Sequence, residues 1–187
     1  IGDSLLTETL FAEFPAARNW VQQDAYGRPV LYSWLQPFRQ KGCRNNPGYL
    51  GFLKEAIRRC VQELGVDFLH FDNMFNRWEP FLCHCDHCGA RLRAFLTAKY
   101  TPTERRARFG FADMTRIEVP RMWPGQEPWR WEQIGDPLLQ EWIDFHCESL
   151  AAAYGELCRY ARELNPDVVL ESNPYGLAAA NNYLRLS

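Results

Sequence analysis

Three of the chain's seven cysteines fall in one short run, Cys83-His84-Cys85-Asp86-His87-Cys88. A structural zinc ion takes four thiolate or imidazole ligands in a tetrahedron, with neighbouring ligands a few residues apart. Cys83, Cys85 and Cys88 would supply three of them from one loop. Cys43 is the best-placed fourth, in a loop just before a helix whose following strand leads into the cluster. His84 and His87 are rival ligands. The plainer reading, three free thiols in a tight turn, would leave the group open to oxidation. A disulfide framework favours an even, dispersed set of cysteines. The expectation is therefore one structural Zn2+ and a reducing, cytoplasmic compartment.

Carboxylates carry the second kind of chemistry. The apolar run Val66-Asp67-Phe68-Leu69-His70-Phe71 leads into Asp72-Asn73, and Val168-Val169-Leu170 leads into Glu171-Ser172-Asn173. Two carboxyl groups brought together can do acid/base or nucleophilic work; glycosidic bond cleavage is one such reaction, with the pair about 5–5.5 Å apart for retention or about 6.5–9.5 Å for inversion. Asp72 is the first candidate, because a buried strand would carry it to the rim of a sheet; the plainer role is to bond neighbouring loops. Glu171 is the second. Strand alternation puts Val169, Glu171 and Asn173 on one face and Leu170 and Ser172 on the other. Pairing with a structural Arg or Lys is the competing role for Glu171. Asn73 and Asn173 can bond sugar hydroxyls. His70 and His146 read as core or supporting residues. Trp123, Trp129 and Trp131 could stack on pyranose faces or simply pack their loop.

The elements that must position these residues can be read in order. A strand is expected around Val30–Leu35, after the turn Tyr26-Gly27-Arg28-Pro29. Asn46 and Pro47 form a helix start, with Leu50, Leu53, Ile57, Val61 and Leu64 on its buried face and Gly65 at its end. The Asp72 strand and the cysteine loop follow. Leu92, Phe95 and Leu96 indicate a helix, and Thr101 and Glu104 have capping-box spacing for another. Val119–Trp131 reads as a long loop with three tryptophans and three prolines. Asp136-Pro137 starts the longest helix, which ends at Asn165-Pro166 before the Glu171 strand. Strands alternating with helices imply a parallel α/β sheet. Polar groups at the carboxyl ends of strands are where (β/α) barrels keep their chemistry.

A net charge of −2 argues against a nucleic acid or an anionic membrane as partner. No apolar run approaches the roughly 20 residues of a membrane span. The opening Ile1-Gly2-Asp3-Ser4 lacks a methionine or a signal-like stretch. One domain over residues 1–187 is expected, and a complete barrel needs about 250 residues, so the chain reads as the middle of a barrel.

Gly42-Cys43-Arg44-Asn45-Asn46-Pro47-Gly48-Tyr49, then Phe71-Asp72-Asn73, then the cysteine run resemble, in order, segments of the family-42 glycoside hydrolases. The stretch from Asp136 to Asn173 is also similar, so the resemblance covers roughly residues 43–176. Those proteins are β-galactosidases built on a (β/α)8 TIM barrel. In them, a Cys-x-Asn-x-Pro segment and a Cys-x-Cys-x-x-Cys segment jointly bind one structural zinc, which implies Cys43, Cys83, Cys85 and Cys88 here. The family carries Asp-Asn-Glu at the end of its fourth strand, with the Glu as acid/base. This chain has Asp72-Asn73-Met74, and a thioether carries no proton. The Asp72 strand also looks like the fourth strand of retaining α-galactosidases, where the terminal Asp is the nucleophile.

The resulting expectation is a divergent glycosidase with Asp72 and Glu171 catalytic, Asn73, Asn173, Trp123, Trp129 and Trp131 on the carbohydrate, and a structural zinc. Self-association stays open. The rival is a carbohydrate-binding or scaffold barrel that has lost its acid/base. A zinc-ribbon interaction module is disfavoured, because the cluster is one loop within a larger α/β pattern.

Overall fold

The computed structural model describes residues 1–2, 6–77, 79–121 and 134–173. Helix α1 (Glu8–Glu13) and a 3-10 turn (Pro15–Trp20) lead to strands β1 (Leu31–Ser33) and β2 (Gln36–Gln40). Then come α2 (Pro47–Arg58), β3 (Phe68–Phe71), α3 (Asp86–Lys99), α4 (Pro102–Phe109), α5 (Pro137–Leu164) and β4 (Val169–Ser172).

Most helix ends follow local chemistry. The Asn46 side chain accepts from the Gly48 amide, and Pro47 fills the first helical position. Thr101 and Glu104 close a reciprocal capping box on α4. Asp136 caps α5 through the Leu138 and Leu139 amides. Gly65 takes the left-handed conformation, φ +65°, that ends the α2 region. The expected buried stripe of α2 holds for Leu50, Leu53, Ile57 and Val61 but fails at Leu64, which is 74% exposed. A π-helical turn, Arg59–Glu63, follows α2. Its wider winding advances each residue by a smaller angle and leaves Leu64 facing solvent.

β3 and β4 pair in parallel, with His70 opposite Glu171 and Phe71 opposite Ser172. On the other side of β3, Gly2 bridges Asp72 in parallel, and the Asp72 amide donates to the Ile1 carbonyl at 2.7 Å. The strand expected at Val30–Leu35 differs. β1 does not join the parallel sheet; it turns at Trp34-Leu35 and pairs antiparallel with β2. The described residues thus form a small α/β unit and close no barrel.

Two cores share α5. Leu157 and Ala161 near its end pack with Leu53 and Ile57 of α2 and with Leu69 and Phe71 of β3. Trp142 and Phe145 near its start pack with Leu92 and Leu96 of α3 and with the four clustered cysteines. Each such side chain, taken out of water, contributes about 1.5–3 kcal/mol. Buried Glu141 is clamped by Lys99 at 2.7 Å, Arg108 at 2.8 Å and the Tyr100 hydroxyl at 2.6 Å, which ties α3 and α4 to α5. No described helix is long and apolar enough to cross a membrane.

Candidate functional site

Alternation along β3 sends Leu69 and Phe71 into the core, so Phe68, His70 and Asp72 face the other way. On β4 the same open face carries Val169 and Glu171, with Asn173 beyond the strand. Phe68 and Val169 are 48% and 57% exposed, so this face has no cover among the described residues. Sequence alternation left open which face of β4 met the helices. Glu171 lies on the open one.

At the carboxyl ends of the two strands the polar residues meet. Asn173 Nδ2 donates to Asp72 Oδ1 at 2.7 Å, and the Asn73 side-chain amide donates to Asp72 Oδ2. The Asn73 backbone amide donates to Asn173 Oδ1 at 3.1 Å. Asn73 holds φ +58°, a left-handed conformation that asparagine tolerates better than most residues, and it turns the chain away just past Asp72. His70 joins the group below. Its Nδ1 lies 3.2 Å from Glu171 Oε2, and its Nε2 lies 4.0 Å from Asp72 Oδ1. Thus Asp72, Asn73, Glu171 and Asn173 are brought together, with His70 beside them in a supporting position rather than in the core. The position after Asn73 points elsewhere: Met74 is 2% exposed and sits in the core with Leu69 and Phe71. Trp123, Trp129 and Trp131 lie outside the described residues.

The cysteines form a second centre. Cys85 is the residue capping α3, Cys88 lies in its first turn, and Cys43 lies between β2 and α2. All four are buried, with sulfur atoms within 4.8 Å of one another. Cys43 Sγ is 3.4 Å from Cys85 Sγ and 3.6 Å from Cys88 Sγ. A tetrahedral metal with sulfur ligands at about 2.3 Å needs sulfurs about 3.8 Å apart, so the group could hold a metal ion with little movement. Crowding perturbs three of the thiols in opposite directions. Hydrogen bonds from Cys43, Cys83 and Cys88 pull the Cys85 thiol far below its usual range. Burial pushes Cys83 up, and the sulfur contacts, Cys43 first, push Cys88 up. The start of a helix further favours negative charge here. The histidines stand apart: His84 Nε2 pairs with buried Glu79 at 3.0 Å, and His87 is exposed.

The two centres are joined. Lys41, fully buried two residues before Cys43, donates from Nζ to the Phe75 carbonyl at 2.9 Å. Arg44 donates to the Asn76 side chain, whose Nδ2 donates to the His146 carbonyl at 2.9 Å. The segment carrying Cys43 therefore holds the loop that follows Asp72. His146 itself is buried against Trp142, as the sequence indicated.

No family model and no curated protein matches the sequence. Solved structures do match in fold. The β-galactosidase of the Antarctic haloarchaeon Halorubrum lacusprofundi superposes with a TM-score of 0.73 at 19% identity, over 98% of this chain and 27% of that one. The β-galactosidase of Rahnella sp. R3 gives 0.67 at 20% identity, over 98% and 26%. A catalytic mutant of Gan42B, a GH42 β-galactosidase from G. stearothermophilus, gives 0.65 at 18% identity, over 91% and 24%. The described unit therefore has the fold of a segment of GH42-type β-galactosidases, and the chain spans about a quarter of their length.

Proposed function

We propose that this chain is part of a glycosidase of the β-galactosidase kind, on a (β/α)8 barrel whose interior includes the open face of β3 and β4. The observation that carries this reading is the constellation of Asp72 and Glu171 at the ends of adjacent parallel strands, with His70 bonded to Glu171 and 4.0 Å from Asp72. Two amide donors, from Asn73 and Asn173, fix the Asp72 carboxylate at the strand end. So held, it can attack an anomeric carbon or stabilise the positive charge that develops there. Glu171 has an imidazole rather than an amide beside it, a partner able to exchange protons, and it is the candidate acid/base. Asn73 and Asn173 are also placed to bond hydroxyls of the sugar, and Trp123, Trp129 and Trp131 remain candidates to stack on it.

The metal is read as a structural zinc on Cys43, Cys83, Cys85 and Cys88. Four buried thiols with no carboxylate or open position suit zinc in a closed site, where it pins loops and leaves no place for a reactive water. A second reading rests on one specific observation. Met74 is buried where the family resemblance would have an acid/base, which favours a barrel that binds carbohydrate without cleaving it. Hydrolysis of 4-nitrophenyl β-galactoside by the complete protein, with Asp72→Asn as control, separates the two. Turnover lost in Asp72→Asn supports the enzyme; sugar binding without turnover in the wild type supports the scaffold.

A further inference from the structure

The turn of the β1–β2 hairpin has a composition that its conformation does not require. Two-residue hairpin turns usually carry Gly, Asn or Asp. Here the pair is Trp34-Leu35, exposed by 82% and 67%. Exposed apolar groups that gather into one patch, rather than stand singly, mark contact sites. Tyr32, Trp34 and Phe81 border a groove of about 950 Å³, and Asn73 and Phe75 form part of its wall. That volume is within the usual range of small-ligand clefts, about 300–1,000 Å³.

Asn73 belongs to the groove and to the carboxylate site at once, since its side chain also donates to Asp72. The groove is thus continuous with the place where a sugar would react. Its cations are already engaged. Arg28 pairs with Asp24 at 2.9 Å, and Arg77 donates to the Tyr32 carbonyl while lying over the Phe75 ring at 5.4 Å. The rest of the lining is mainly apolar, with the rings of Tyr32, Trp34, Phe75 and Phe81 beside aliphatic side chains, and the Ser33 hydroxyl and the amides of Gln36 and Gln40 add polar groups. Rings match the C–H face of a pyranose and amides match its hydroxyls.

We propose that this groove is the subsite for the second sugar of the substrate, a pyranose joined to the one at Asp72, with Trp34 as its stacking platform. The identity of the first ring rests on the glycosidase reading above. The test uses the complete protein with lactose, galactose and β-galactosyl fluoride, whose leaving group has no ring. Trp34→Ala should raise the KM for lactose about tenfold and weaken its Kd in calorimetry equally, while galactose binding and fluoride hydrolysis change far less. Trp34→Phe should recover most of the loss. Lactose that fails to bind the wild type, or binds Trp34→Ala unchanged, overturns the subsite, as does an equal loss for lactose and the fluoride. Fluoride hydrolysed with lactose indifferent to Trp34 leaves the glycosidase reading standing alone. Fluoride untouched with lactose binding dependent on Trp34 removes that reading and keeps the groove.

Discussion

His70 and Glu171 face each other across the parallel strands β3 and β4, with Nδ1 of the imidazole 3.2 Å from Oε2 of the carboxylate. The same ring reaches toward Asp72, so one side chain lies between both candidate catalytic acids. Replacing His70 by Ala in the complete protein should lower kcat/KM by about 10²-fold or more, the usual size of an acid–base contribution. Thermal stability should change little, because His70 is on the open face rather than in the core. Steady-state kinetics with a melting curve on each variant checks both. Full activity in His70→Ala would leave the contact without a catalytic part.

Asp72→Asn keeps the shape of the side chain and removes its charge. Turnover should fall by several orders of magnitude, roughly 10³-fold or more, with a melting temperature close to the wild type. A variant that folds and keeps most of its activity would reduce Asp72 to a scaffold for Asn73 and Asn173.

Elemental analysis should find one zinc per chain. Cys88→Ser or prolonged chelation should lower the melting temperature by roughly 10 °C, since metal binding to a buried thiolate cage is folding free energy. Activity per folded molecule should fall less steeply than stability. A protein free of metal and unaffected by chelators would contradict the zinc reading.

Arg44→Ala separates holding the metal from holding the loop. Arg44 is next to Cys43 but bonds the Asn76 side chain rather than a sulfur. Zinc content should stay at one per chain, while kcat falls roughly ten- to a hundredfold as the loop after Asp72 loosens. Equal loss of metal and turnover would mean that Arg44 serves only the metal site.

Gly42 is fixed by space rather than by backbone angle. A Cβ there would run into the ring of Tyr49, which is fully buried and donates from its hydroxyl to the Gly2 carbonyl at 3.1 Å. Gly42→Ala should destabilise by about 1–3 kcal/mol or more, as overpacking does. Denaturant unfolding measures this, and a variant as stable as the wild type would show that the ring can move aside.

What the sequence made legible was local. Asn46, Thr101 and Asp136 announced their helices because a cap acts within three residues. The cysteine run marks a loop that could hold a metal because its thiols are neighbours in sequence, and Cys43 lies beside it. The misses concern relations between distant parts. His70 sits amid apolar residues, and only the packing of Leu69 and Phe71 on α2 and α5 reveals that the histidine faces outward. The hairpin was hidden because Trp34-Leu35 continues an apolar run where a turn usually breaks one. Leu64 was misplaced because a π turn cannot be told from an α turn by apolar spacing.

Helix α5 has 28 residues, a rod of about 42 Å, and each end belongs to a different hydrophobic core. A rod embedded in two cores cannot release one without unwinding toward the other. The cysteine centre and the parallel strands should consequently melt together rather than as separate foldons, which hydrogen exchange on the two cores would check. Stability gained at the thiol cluster is thereby delivered to β3 and β4, which carry the candidate carboxylates.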